Sequence, residues 1–341
     1  MPHVVISVPY PKVNLVCTKD IHASALPPGR RRGSYMEEIF AKLTFCKELA
    51  EKVHGSVLCA GDLFHIKSPQ AKANEIHFVT RLMDILQAMP NHTMFGVVGN
   101  HDITGDNLQT LPAQPLGNLI TAGAYTDLST SVVFESQDGL RVRVDGYNYE
   151  RDARVILDAM ITAQPDPTCD YRVAVAHAFA GPGKSQPMFG EFSIGFDDVV
   201  GTPYNAFLWG HDHKPKGLIQ VGEQQHLYLG SLSRAALTAD EAERPVSVAV
   251  LSFSREKGIV VVEVEVPVAP LALAFHTAAL EVERVDKRED VVDQRAASAN
   301  YLASLQGQAA AVESEDPKEV LLTITDDDFV IHKICEVCDL H

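Results

Sequence analysis

Five short polar clusters limit how this chain can fold, because each stands at or just after a β-branched or apolar run. They are Asp20-Ile21-His22, Gly61-Asp62, Gly99-Asn100-His101-Asp102, the lone His177, and Gly210-His211-Asp212-His213. The runs cover residues 13–18, 56–60, 93–98, 172–176 and 206–209. Short continuous runs of this kind read as buried strands, and α/β folds gather their chemistry at strand ends. A fold that brings five strand ends to one place is therefore expected.

The residue types in those clusters point to a pair of metal ions. Two dications held roughly 3.5–4 Å apart repel one another and call for a bridging carboxylate. Asp62 is the candidate, with Gly61 allowing a sharp backbone turn before it. Asp20 and His22 are two residues apart and share a face of an extended chain, as do His211 and His213. Asn100 adds a neutral oxygen and His177 a neutral nitrogen. This imidazole and carboxylate set contains no cysteine and suits manganese, iron or zinc. The two ions outweigh Asp20, Asp62 and a bridging hydroxide, which leaves net positive charge to meet a phosphate. His101 follows the Asn ligand directly and should project to another side of the site. There it would stabilise the pentacovalent phosphorus or protonate the leaving oxygen, with Asp102 orienting its imidazole. The expected reaction is in-line attack on a phosphoester, the ions clamping the attacking and leaving oxygens.

With these motifs the chain resembles the calcineurin-like metallophosphoesterases, and within them the SbcD-type nuclease subunits and related phage recombination endonucleases. The closer resemblance rests on Gly61-Asp62-Leu63-Phe64-His65-Ile66-Lys67-Ser68-Pro69, on a helical insert over residues 35–54, and on the turn Leu229-Gly230-Ser231-Leu232-Ser233-Arg234. It covers roughly residues 12–275. The resemblance implies a manganese-dependent DNA exonuclease or endonuclease of DNA repair or recombination, working with an SbcC-like ABC-type ATPase and forming a homodimer. Iron, zinc or magnesium are the alternative ions. It implies Asp20, His22, Asp62 and His213 on one metal, and Asp62, Asn100, His177 and His211 on the other. His101 takes the catalytic position, and His65 the place of a histidine that helps position the scissile strand. Two rival readings stand beside it: a small-molecule or cyclic-nucleotide phosphodiesterase of the same fold, and a non-catalytic scaffold subunit that binds an ATPase.

Strand–helix alternation followed by a strand-rich second half predicts two stacked sheets flanked by helices, and the resemblance implies a four-layer α-β-β-α sandwich of two mixed sheets. Helices are expected over 34–53, 71–89 and 151–162. The first carries Ile39, Leu43 and Cys46 at helical spacing, and the second Ile76, Val79, Leu82, Met83 and Leu86. The nuclease domain is expected over 1–275, and a small acidic α+β capping or partner-binding extension over 276–341. In that extension His332, Cys335, Cys338 and His341 recur every three residues, but such steps rotate around a helix and do not converge on one tetrahedral ion.

The net charge of −16 is unevenly spread. Residues 1–120 carry eleven Lys and Arg against ten Asp and Glu, whereas 276–341 carry six against fifteen. A partner would then supply much of any grip on DNA. Arg30, Arg31 and Arg32 follow the first motif and are candidate phosphate contacts, as is Lys184 in the loop 179–192. Gly181-Pro182-Gly183-Lys184-Ser185 lacks the first glycine of a P-loop, since Ala178 stands there, and nucleotide binding is rejected. Six scattered cysteines fit a reducing compartment. With no secretory signal and no membrane-spanning run expected, the expected location is the cytoplasm of a bacterial cell or a phage-infected host.

Overall fold

The computed structural model describes residues 4–275 other than 30, 32, 69, 189 and 236–243. Its first eight strands are β1 (Val4–Val8), β2 (Val13–Thr18), β3 (Ser56–Cys59), β4 (Met94–Gly96), β5 (Tyr125–Asp127), β6 (Val132–Ser136), β7 (Arg141–Tyr147) and β8 (Tyr171–His177). The rest are β9 (Ala180–Gly181), β10 (Gln186–Met188), β11 (Glu191–Gly195), β12 (Ala206–Gly210), β13 (Gly217–Val221), β14 (Gln224–Tyr228), β15 (Ser247–Ser254) and β16 (Gly258–Glu265). The main helices are α1 (Tyr35–Val53), α2 (Ile76–Gln87), α3 (Pro115–Thr121) and α4 (Arg154–Ile161). One mixed sheet runs β16-β15-β2-β3-β4-β5 and the other β1-β6-β7-β8-β12-β14-β13.

Side-chain alternation along the central strands decides the layers. In β2, Leu15 and Cys17 point into a core shared with Val173 and Val175 of β8 and Leu208 of β12, so the two sheets face each other. Val16 points the opposite way, into a second core with Ile39 and Leu43 of α1 and Leu82 of α2. On the far face of the other sheet, Ala174, Phe207 and Trp209 pack against Ile156 and Met160 of α4. The order is therefore helix, sheet, sheet, helix, the four-layer sandwich expected from the sequence. Strands buried on both faces explain the continuous apolar runs, because neither face has a polar side to show.

Helix α1 begins where Ser34 Oγ accepts the Glu37 N–H at 3.3 Å, and Glu37 and Glu38 lie in its first turn. It ends at His54, whose φ of 55° breaks the helical path. Helix α2 is shorter than its sequence pattern, with a 3₁₀ turn at Lys72–Asn74 before it. Ile76 is 83% exposed, while Phe78, Leu82 and Leu86 form the buried stripe. Two residues turn a helix by about 200°, so Ile76 and Phe78 cannot share a face.

Arg172 of β8 is held to Asp145 of β7 by Nη2 and Nε at 2.6 and 3.1 Å, and Arg143 Nε meets the same carboxylate at 2.7 Å. Burial would lift the Asp145 carboxyl, but Ser131 and the two arginines outweigh it and hold it below the usual range. A carboxyl depressed in the fold stabilises it above the ordinary carboxylate range and loses that contribution as pH falls through the lowered value. Asp145→Ala is expected to cost about 3–5 kcal/mol by stranding a buried guanidinium, and to flatten the acid limb of a stability-against-pH titration.

The chain divides into units 1–276 and 277–341. The second unit, with His332, Cys335, Cys338 and His341, lies outside the described residues. No helix among the described residues is long and apolar enough to cross a membrane.

Candidate metal centre

Strands β2, β3 and β4 are parallel neighbours, so their carboxyl ends lie side by side. Asp20 and His22, Asp62, and Asn100 and His101 follow those ends in turn. In the other sheet β8 and β12 are parallel and pair His177 with Gly210, which places His211 and His213 just beyond. Asp20, His22, Asp62 and His211 all have positive φ, at 47°, 47°, 52° and 87°. Such left-handed residues cost about 1–3 kcal/mol each unless their surroundings hold them. Here Asp20 N–H donates to the Gly61 carbonyl at 3.1 Å and His22 N–H to the Asp62 carbonyl at 2.9 Å, and His211 N–H donates to Asp20 Oδ1 at 3.0 Å.

Two donor groups result, and they share one residue. Asp20, His22, Asp62 and His213 offer one atom each within 4.8 Å of one another, as do Asp62, His177 and His211. Asn100 Oδ1 joins the second group, 3.1 Å from His177 Nε2 and 3.0 Å from His211 Nδ1. Asp62 Oδ2 lies 3.7 Å from His22 Nε2 and 3.4 Å from His177 Nε2, between the groups. Its other oxygen accepts the His101 N–H at 2.8 Å. Within the first group His22 Nε2 and His213 Nε2 face each other at 2.8 Å. Nitrogen and oxygen lone pairs converging at such distances make a cradle for cations, and the absence of sulfur suits a borderline or hard divalent ion. A Cβ on Gly99 would fall 2.1 Å from Asp62 Oδ1, and one on Gly61 2.4 Å from His177 Nδ1. Only glycine lets these loops close around the shared carboxylate.

Burial holds the His22 and His211 imidazoles neutral, at about 3 and about 4, as metal ligands must be. Burial acts the same way on His177, but the carboxylates of Asp62 and Asp20 outweigh it and lift that imidazole to about 9. Lys19 lies beside the site, its Nζ 3.3 Å from Asp20 Oδ2 and donating to the Asp212 carbonyl at 2.5 Å; burial lowers its ammonium below the ordinary lysine range, and Asp20 and Asp212 oppose that shift. Lys19 ties the first motif to the last. The Ser231 hydroxyl donates to the Asp20 carbonyl at 2.9 Å, so the turn at 229–234 braces the same residue.

His101, His22 and His65 form a neighbouring group. The His101 Nδ1 meets the His65 carbonyl at 2.8 Å, and the two rings stack with centroids 5.9 Å apart. The carbonyl of His65 therefore orients His101, and Asp102 does not. Asp102 is 1% exposed and accepts backbone N–H groups of Gly99, Phe64 and Leu63 at 2.9, 3.0 and 3.3 Å. It clamps the loop carrying Asp62 to the loop carrying Asn100. Asp102→Ala would leave buried amide donors unmet at about 1–3 kcal/mol each. A Tm well below that of the wild type, measured before any metal is added, is the expected result. An unchanged Tm with reduced turnover would return Asp102 to His101.

The proposed phosphate contacts fare differently. Arg31 is 4% exposed. It pairs with Glu38, donates to the Arg234 carbonyl at 3.1 Å and lies over the Phe275 ring at 4.6 Å. Its guanidinium is committed within the fold rather than offered to substrate. Arg30 lies outside the described residues. Lys184 is exposed, with Asp198 nearby. The segment around it contributes to the small sheet β10-β11-β9, and a strand rather than a helix follows the Gly-Pro-Gly-Lys-Ser stretch. Sequence reasoning overlooked Glu191 of that sheet, whose Oε2 meets His211 Nε2 at 3.2 Å. It also overlooked Phe179 and Tyr149, whose rings lie 4.2 and 5.5 Å from that of His211.

No protein-family model matches the chain, and no curated protein matches it. Among solved structures it is similar to the NAD nucleotidase of Haemophilus influenzae, with 13% identity and a TM-score of 0.39 over 74% of this chain and 50% of that one. It is similar to a 5'-nucleotidase precursor from Thermus thermophilus, with 13% identity and a TM-score of 0.40 over 83% of this chain and 59% of that one. A third is the Thermus thermophilus sulfate thiohydrolase SoxB in complex with glycerol, with 12% identity, a TM-score of 0.40, and 76% and 57% covered. The chain thus spans about half to three-fifths of the length of these proteins. At TM-scores near 0.4 the likeness is slight, and the chemistry of the centre is read from the chain's own side chains.

Proposed function

We propose that this chain hydrolyses phosphodiesters at a two-metal centre, with DNA as the substrate. The observation that carries the reading is the pair of donor groups sharing Asp62, with an oriented His101 beside them. Two divalent ions bound there would supply Lewis acidity and offset the charge of the phosphate. The protein's own part is to hold the donors and to manage the proton. With its Nδ1–H donated to the His65 carbonyl, His101 presents Nε2 as the nitrogen that exchanges a proton with substrate. That nitrogen protonates the departing oxygen or steadies charge on the phosphoryl group.

The choice of DNA and of an ABC-type ATPase as partner draws on the sequence resemblance, through the Gly61-to-Pro69 stretch and the turn at 229–234. A small phosphodiester is the second reading. It is favoured by the carboxylate of Glu191 beside the second donor group and by the burial of Arg31, since the first repels a polyanion and the second offers it no contact. Labelled single- and double-stranded DNA offered with manganese, beside bis-p-nitrophenyl phosphate, tests both. Cutting of DNA supports the nuclease. Turnover of the small ester with DNA intact at low salt replaces it with the small-molecule enzyme, and turnover of neither contradicts hydrolysis altogether.

A further inference from the structure

We infer that Glu191 is the positioning residue for His211, and that the small β9–β11 sheet exists in part to hold it there. The inference rests on the two-metal reading of the site. The second donor group contains two imidazoles, and each has its far nitrogen engaged. His177 Nδ1 meets the Ala60 carbonyl at 2.7 Å, and His211 Nε2 meets Glu191 Oε2 at 3.2 Å. A carbonyl or carboxylate oxygen can only accept, so both far nitrogens carry the proton. In the neutral rings that metal ligation requires, which for His177 means giving up the proton that Asp62 and Asp20 favour, the near nitrogens His177 Nε2 and His211 Nδ1 carry the lone pairs, 3.2 Å apart and both beside Asn100 Oδ1.

The acceptor oxygen of Glu191 does for His211 what the Ala60 carbonyl does for His177, and its charge adds a smaller effect. It fixes the tautomer and ring orientation of His211 and raises the basicity of the nitrogen that faces the cation. The fold holds Glu191 by a short route. Strand β9 begins three residues after His177, and β11 pairs with it in parallel through Ile194 opposite Ala180 and Gly195 opposite Gly181. The Ile194 N–H donates to the Phe179 carbonyl at 2.8 Å, and β10 pairs with β11 through Met188 opposite Glu191. The same short excursion thus follows one imidazole ligand and braces another. The Phe179 ring, edge-on to His211 at 4.2 Å, limits rotation of that imidazole from a further side.

The test is calorimetric titration of manganese into the metal-free full chain, with wild type, Glu191→Ala and Glu191→Gln. Electron paramagnetic resonance of the bound manganese accompanies it. Wild type is expected to take two ions and to give a spin-coupled signal. In Glu191→Ala one binding step should weaken by about 10–100-fold, the other should stay unchanged, and single-ion manganese should replace the coupled signal at intermediate loading. Glu191→Gln keeps an oxygen that accepts the Nε2–H and should recover most of the affinity. Two unaltered binding steps in Glu191→Ala would overturn the inference while leaving the metal centre intact. Equal losses in Ala and Gln variants would also overturn it, because the tautomer role requires rescue. Fewer than two ions on wild type would instead remove the metal-centre reading, and this inference with it.

Discussion

Hydrolysis of bis-p-nitrophenyl phosphate by Asp62→Ala is expected to fall by roughly a thousandfold or more, since two-metal charge stabilisation is worth several kcal/mol. Among the described residues, no other side chain belongs to both donor groups. Its Oδ2 stands between His22 Nε2 and His177 Nε2, at 3.7 and 3.4 Å. With two ions bound, its removal would take a ligand from each and leave the two cations exposed to each other's charge. Thermal denaturation reads the same event without turnover. At a metal concentration of 100 times Kd, wild type gains about 2.7 kcal/mol from the bound ion, and Asp62→Ala should gain almost nothing. The carboxylate also accepts the His101 N–H at 2.8 Å, so Asp62→Asn, which keeps an acceptor oxygen, separates lost charge from a disturbed loop. An alanine variant with most of the wild-type activity would show that Asp62 is not shared.

His101→Ala should lower kcat by about 10²–10⁴-fold, with metal affinity unchanged and KM nearly so. Placement is the reason. His101 lies outside both donor groups that contain Asp62, and its Nδ1 is taken by the His65 carbonyl. The remaining nitrogen is the one that can serve a leaving oxygen. The size of the loss should depend on what departs. A p-nitrophenolate needs little protonation, whereas the sugar alkoxide of a nucleic acid needs a proton as the bond breaks. The defect should therefore be larger with DNA than with the activated ester. Equal losses on both would assign His101 to charge stabilisation instead of proton transfer.

The strands around this centre were legible because each is buried on two faces and so reads as an unbroken apolar run. Strand β2 spans Val13–Thr18, as its run predicts, and β8 and β12 extend theirs by a residue or two. Helix α1 was legible from the regular stripe of Ile39, Leu43 and Cys46. The small sheet β9–β11 was not, because its strands are short and sit among Gly, Pro and polar residues that read as a loop. The role of Asp102 was hidden for a different reason. Whether a carboxylate meets an adjacent imidazole or distant amides depends on how closely the 61–64 and 99–102 loops approach, and local sequence does not encode that distance. Arg31 sits in a run of three arginines that reads as a candidate phosphate contact, yet its partners include Arg234 and Phe275, more than two hundred residues away. Glu191 carried no signal, being a lone acid outside the five recurring clusters.

Crystals grown with manganese, measured with anomalous scattering at its absorption edge, would decide whether the centre is dinuclear and bridged. Two peaks are expected roughly 3.5–4 Å apart, one on each side of Asp62 Oδ2, with Asp20, His22 and His213 around the first and Asn100, His177 and His211 around the second. A single peak, or two peaks that do not share Asp62, would contradict a two-metal phosphodiesterase built on that carboxylate.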